Sequence, residues 1–168
     1  MFPSANLPSP DDPIAMLVAC HDKVRRFSAL VARIGDHVLQ KGCDAEAQQA
    51  ATSVLRYFDV AAPLHHADEE IDLFPALRGL RDSQLNYELD RIEYEHLPLA
   101  GLWRDVGHWL SLVQQGSPAE VPSSLLLTFA TAYPEHARQE EERLYPHATR
   151  LPAPTLAKIG QAMASRRQ

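Results

Sequence analysis

One pattern appears twice in the chain. Pro63-Leu-His65-His66-Ala-Asp-Glu69-Glu70-Ile-Asp-Leu73-Phe74-Pro75 recurs as Pro134-Glu-His136-Ala-Arg-Gln-Glu140-Glu141-Glu-Arg-Leu144-Tyr145-Pro146. The shared skeleton is P-x-H-x3-E-E-x2-L-[FY]-P. Residues four apart lie on one face of a helix, so His65 points with Glu69 and His136 with Glu140. Each pair also shares its face with an apolar stripe. Leu55, Phe58, Ala62 and Leu73 make the first stripe; Leu126, Phe129, Ala132, Tyr133 and Leu144 make the second. An apolar stripe faces the core. The chain must therefore bring two helices together so that each offers an imidazole and a carboxylate to one interior.

The remaining sequence supplies the partners for those helices. Asp12-Pro13 reads as a cap with proline at the first helical position. It opens a helix carrying Ile14, Leu17, Val18, His21, Val24 and Val31 at helical spacing, ending near Lys41-Gly42. Asp44 caps the second helix, which is expected to close near Pro75, with a further short turn from Leu77 to Leu80. A third starts near Asp82 or Ser83, aligns Leu89, Ile92, His96, Leu99, Ala100 and Trp103, and stops at Gly116. The fourth starts between Ser117 and Ser123; Ser117-Pro118-Ala119-Glu120 has the form of a capping box, and Pro122 argues for a later start. Thr155 is positioned to cap a short fifth helix that ends in the polar tail Ser165-Arg-Arg-Gln168. No segment reads as a strand. Four long amphipathic helices on short links predict an all-α, antiparallel up-down-up-down four-helix bundle with a short C-terminal helix. Residues 1–11 are expected to form a flexible N-terminal arm, 12–150 the bundle, and 151–168 the C-terminal helix and tail.

Charge and length exclude several roles. A chain of 168 residues suits one domain with a substantial core. Its formal net charge of -6 argues against nucleic acid or an anionic membrane as partner. No apolar run is long enough to span a bilayer, and the first ten residues lack the pattern of a secretory signal. Cys20 and Cys43, the two cysteines, make no disulfide framework, which points to a reducing cytoplasm. Cys20 reads as a buried or inert thiol.

The polar residues on the apolar stripes carry the chemistry. His21, His65, His96 and His136 fall one per long helix, and Glu69 and Glu140 join them on helices two and four. Buried carboxylates without partners tend to protonate or disrupt the core. Imidazoles and carboxylates facing a shared interior are explained by cations between them. Four His and two Glu exceed the needs of one tetrahedral zinc and suit a dinuclear site with two bridging carboxylates. Glu70 and Glu141 read as salt-bridge residues or as carboxylates that orient a ligand imidazole. His37, His108 and His147 fall outside the set and read as surface residues. Pro63, Pro98 and Pro134 lie within two residues of a candidate ligand. They admit two readings, a local opening that makes room for metal and a tolerated kink.

On these residues the chain resembles the hemerythrin-like, or HHE cation-binding, domains. The resemblance rests on His21, His65-His66-x-x-Glu69-Glu70 with Leu73-Phe74-Pro75, His96, and His136-x-x-x-Glu140 with Leu144-Tyr145-Pro146, over roughly residues 12 to 150. It implies a centre of two non-haem irons, bridged by carboxylates and a solvent-derived oxo or hydroxo oxygen. It also implies Glu69 and Glu140 as the bridges, His21 and His65 on one iron, and His96 and His136 on the other. Zinc, manganese or other divalent metals suit the same donors.

Two departures separate the chain from the oxygen-carrying hemerythrins. Their third helix supplies two histidines four apart, whereas Ile92 and Ala100 flank His96 at that spacing here. His66 is the candidate replacement. Their fourth-helix carboxylate is an Asp five residues after its His, whereas here helical geometry and the repeat favour Glu140 over Glu141. The family resemblance implies binding of a small diatomic ligand, oxygen or nitric oxide, for sensing, buffering or carriage. Turnover of peroxide, and storage or donation of iron, are the alternatives.

Overall fold

The computed structural model describes residues 8–117 and 120–168. Residues 1–7, where most of the expected arm falls, and residues 118–119 of the expected capping box lie outside the described residues. Helix α1 (Pro13–Lys41) begins as its sequence dictates: Asp12 accepts a hydrogen bond from the Ala15 N–H at 2.9 Å, and Pro13 needs no acceptor. It stops at Gly42, whose φ of 81° favours glycine. Asp44 caps α2 (Ala45–Arg56) through the Ala47 N–H at 2.9 Å. Asp82 caps α5 (Ser83–Gln114) through the Leu85 N–H at 3.1 Å. Helix α6 (Ser123–Arg143) starts directly after Pro122.

The second column of the bundle is one continuous helical run with two widened turns. α2 passes into a π turn (Tyr57–Ala61), then α3 (Ala62–Ala67), a second π turn (Asp68–Leu73) and α4 (Phe74–Arg78). The run passes Pro75 and closes at Arg78, within the further short turn expected from Leu77 to Leu80. Each π turn ends just ahead of a proline: the Ala62 N–H bonds the Tyr57 carbonyl before Pro63, and the Phe74 N–H bonds the Glu69 carbonyl before Pro75. A proline ring collides with the carbonyl four residues back, and adding one residue to the preceding turn relieves that collision. Pro63 therefore accompanies a local opening. Pro98 and Pro134 instead sit within the regular helices α5 and α6.

Helix α1 packs on α2 and α6, and α5 packs on the same two. This closes the expected four-helix bundle, and no strand occurs among the described residues. A 3-10 turn (Tyr145–Arg150) leads to α7 (Ala153–Ser165), which lies against α1 and the second π turn. α7 starts earlier than the Thr155 cap would place it, with Pro152 at its N-cap and Pro154 in its first turn; prolines there cost no hydrogen bond. Ala100, expected on the inner stripe of α5, faces solvent.

The core divides into two apolar layers along the bundle axis. One is built around Val24, Phe58, Leu99, Val106, Leu126, Phe129 and Tyr133. The other contains Leu17, Leu73, Phe74, Leu89, Ile92, Leu144 and Tyr145. His21 follows Leu17 and precedes Val24 on α1, and His96 sits between Ile92 and Leu99 on α5. The buried polar residues thus form a belt between two apolar layers, where water has little access and unpaired charge is costly.

Candidate metal centre

His21, His65, His96 and His136 are all buried, and Glu69 and Glu140 are fully so. They arrive from α1, α3, α5, the second π turn and α6. Their donor atoms form two adjoining groups, each within 4.8 Å: His21, His65, Glu69 and Glu140 in one, His66, His96 and His136 in the other. His66 is half-buried, and its ring stacks on that of His96 at a centroid distance of 4.0 Å. All seven residues singled out from the sequence therefore converge on one place.

Three of the imidazoles are held from outside by carboxylates. His21 Nδ1 lies 2.8 Å from Glu141, His96 Nδ1 2.5 Å from Glu70, and His136 Nδ1 2.9 Å from Glu95. An ionised carboxylate only accepts, so it fixes the Nδ1–H tautomer and turns the Nε2 lone pair inward. Burial works against the charge on Glu141, but Arg25, which donates to it at 2.7 Å, and His21 outweigh that and lower its pKa. Glu70 and Glu141 thus stand where sequence placed them. Glu95 was not foreseen, because it neighbours His96 in sequence yet serves His136 on another helix.

The inward atoms pack as donors around cations would. His21 Nε2 is 3.0 Å from His65 Nε2 and 3.0 Å from Glu140 Oε2. His136 Nε2 is 2.9 Å from Glu140 Oε1, and His96 Nε2 is 3.5 Å from it. Yet His136 Nε2, Glu140 Oε2 and Glu69 Oε2 are buried without a hydrogen-bond partner. Close approach without hydrogen-bond angles is costly for polar atoms and is what a shared metal ion resolves. The donor set fits two cations.

Electrostatics agree with that fit. Burial, reinforced by neighbouring His21, keeps His65 neutral, with its pKa well below the usual imidazole value. Burial, then His96, pushes His66 down to about 3. Glu69 is raised by burial and by the charge of Glu140. Glu140 is lowered, because His136, His21 and His96 outweigh the effect of burial. Burial works against the charge on His136, but Glu140 and Glu95 outweigh it and raise its pKa; His65 and His66 are thus the imidazoles held in the neutral form that metal binding uses.

Two further features escaped the sequence. Tyr145, read only as part of a motif ending, is buried and donates its hydroxyl to Glu69 Oε1 at 2.6 Å; its oxygen lies 3.2 Å from His21 Nε2. Asp68, adjacent to Glu69, is fully buried and clamped by Arg166 and Arg167 of the tail. Tyr133 instead donates to the Leu99 carbonyl at 3.0 Å and serves the core. Cys20 is half-buried, and burial raises its thiol. His108 is exposed, whereas His37 and His147 are half-buried rather than fully at the surface; His37 pairs with the α2 cap Asp44 at 2.9 Å.

A four-helix bundle with a buried belt of histidines around two carboxylates defines a cation-binding helical protein. The Hemerythrin HHE cation binding domain matches residues 12–148, and the chain belongs to that family. An uncharacterized protein of Haemophilus influenzae (strain Rd) is 32% identical over 158 residues, covering 94% of this chain and 91% of that protein. No helix among the described residues is long and apolar enough to cross a membrane.

Proposed function

We propose that this is a non-haem di-iron protein of the cytoplasm that binds a small diatomic ligand, oxygen or nitric oxide, for sensing, buffering or carriage. In this reading Glu69 and Glu140 would each help to hold both ions. His21 and His65 serve one ion; His96, His136 and His66 serve the other, His66 standing in for the imidazole that α5 lacks. The observation that carries the reading is the split of each carboxylate between the two histidine groups. Glu140 turns Oε2 to His21 at 3.0 Å and Oε1 to His136 at 2.9 Å. Glu69 turns Oε1 to His65 at 3.6 Å and Oε2 to His96 at 3.7 Å.

Reduced iron, when bound, supplies the electrons and coordination position that a diatomic ligand needs. The chain's own residues set the surroundings. His21, His65, His66, His136 and Glu140, with Val24, Ala62, Tyr133 and Ala137, line a space of about 10 Å³. That is room for about one water, so a small guest suits the interior of the belt and a larger substrate does not.

A second reading, turnover of peroxide, draws support from a 470 Å³ cleft between α5 and α6, which reaches His136 past Glu95 and Pro98. Metal content per chain, paired with visible spectra of the anaerobically reduced protein before and after air, separates the readings. Two irons and a spectrum reversed by removing oxygen support ligand binding. Rapid oxygen evolution from peroxide without a reversible spectrum supports the enzyme. Ready loss of iron to a mild chelator with neither behaviour supports storage or donation. Fewer than two irons after reconstitution would sink the di-iron reading.

A further inference from the structure

Tyr145 has a place that the bridging scheme leaves unexplained. Metal–nitrogen and metal–oxygen bonds of about 2.0–2.2 Å put neighbouring donors of one ion roughly 3 Å apart. The Tyr145 hydroxyl oxygen meets that spacing toward two atoms of the same group, 2.6 Å from Glu69 Oε1 and 3.2 Å from His21 Nε2. His21 Nε2 keeps the same spacing to His65 Nε2 and Glu140 Oε2, 3.0 Å each. Five atoms from five residues are thus linked by contacts of 2.6 to 3.2 Å, the spacing of neighbouring corners of one coordination polyhedron.

The two histidine groups are also unequal. The group around His96 contains three imidazoles, whereas the group around His21 contains two. The phenol stands beside the group with the smaller number. Its ring is buried and lies nearly parallel to that of His21, at 10° and a centroid distance of 5.4 Å. Tyr145 begins the 3-10 turn directly after α6, the helix that carries Glu140. That turn brings the ring back under the belt.

We propose that Tyr145 is a metal ligand, completing with its phenolate oxygen the donor set of His21, His65, Glu69 and Glu140. The inference rests on the di-iron reading and sharpens it. Loading that ion releases the phenol proton to solvent, as metal binding to protonated ligands does. The two ions then differ in kind, one held by three imidazoles and one by two imidazoles and a phenolate. An external ligand seeking the second ion must displace the tyrosine.

The test uses the full chain reconstituted with iron and oxidised in air, and compares it with Tyr145→Phe. Phenolate bound to ferric iron gives a visible charge-transfer band and resonance-enhanced tyrosinate vibrations. We expect both in the wild type and the loss of both in Y145F, with two irons per chain retained in each. Azide, a small anionic probe, is expected to bind Y145F more tightly than the wild type. Two irons without tyrosinate vibrations in the wild type would overturn the proposal and leave the di-iron reading standing, with Tyr145 a hydrogen-bond donor to Glu69. Fewer than two irons in the wild type would overturn both. The wild-type vibrational spectrum decides even if Y145F folds poorly.

Discussion

Arg167 donates to Asp68 Oδ2 at 2.5 Å, while Arg166 bonds Oδ1 of the same carboxylate and reaches Asp72 at 2.7 Å. Asp68 is fully buried and precedes Glu69 on the second π turn. The C-terminal tail therefore neutralises a charge that would otherwise sit uncompensated beside a candidate metal bridge. Removing the partner of a buried charge costs about 3–5 kcal/mol. The double variant Arg166→Ala/Arg167→Ala should lose stability on that scale in urea unfolding, and its iron affinity should fall as the turn carrying Glu69 loosens. Unchanged stability would mean that Asp68 finds other partners.

Glu69→Gln should have opposite effects with and without iron. Burial and Glu140 raise the Glu69 pKa in the fold, so its charge is unfavourable there without a cation. A raised carboxylate costs stability as pH rises above its unfolded value of about 4.5, and each pKa unit corresponds to about 1.4 kcal/mol. Metal-free E69Q should therefore be more stable than the metal-free wild type at pH 7. It should also hold fewer irons, measured by metal analysis after reconstitution. Loss of stability together with retained iron would contradict the bridging role.

His66 sets a pH signature in the metal-free protein. Its folded pKa of about 3 lies below the ordinary value of 6.5, because burial and His96 disfavour its charge. Between those values the unfolded chain binds a proton that the folded chain refuses, so stability is full above about 6.5 and declines as pH falls toward 3. His66→Gln removes this contribution. Its stability should fall less steeply with acid than the wild type's, followed by chemical denaturation at several pH values. Parallel profiles would show that His66 is not held neutral.

Glu95→Gln keeps the hydrogen bond to His136 but removes the charge that fixes its tautomer. Loss of such an outer carboxylate typically weakens metal affinity by about 10–100-fold. We expect that loss in competition with a chelator, with the unfolding midpoint of the metal-free protein nearly unchanged. Equal affinity would make Glu95 a surface residue that happens to touch His136.

Gly160 tests the outer packing of α7. A Cβ there would fall 1.7 Å from the carbonyl oxygen of Pro10, a backbone atom with no flexible end to swing away. Overpacking of this kind costs about 1–3 kcal/mol. Gly160→Ala should displace the segment before α1, seen as faster proteolysis near Pro10.

The inner surface of the belt was legible in sequence because its information is local. His65 with Glu69, and His136 with Glu140, declare themselves by spacing and by the apolar residues on either side. The helices were legible for the same reason, from Asp12, Asp44 and Asp82 at their starts. What stayed hidden depends on long-range geometry. Asp68 meets residues 166 and 167 only through the fold, and those arginines read as a solvated tail. Tyr145 filled a motif position that Phe74 also fills, so nothing marked its hydroxyl. Each π turn adds one residue, and the stripe through Phe58, Ala62, His65, Glu69 and Leu73 keeps the three- and four-residue spacings that a regular helix also gives, so only Pro63 and Pro75, just past their ends, mark them.

The clamp on Asp68 also makes the last residues of the chain part of the support of a distant centre. Arg166 and Arg167 follow every candidate donor in sequence, yet they neutralise the carboxylate next to Glu69. A chain trimmed of Arg166-Arg167-Gln168 would keep the whole donor set on a turn whose buried charge has lost these partners, and is expected to hold cations more weakly.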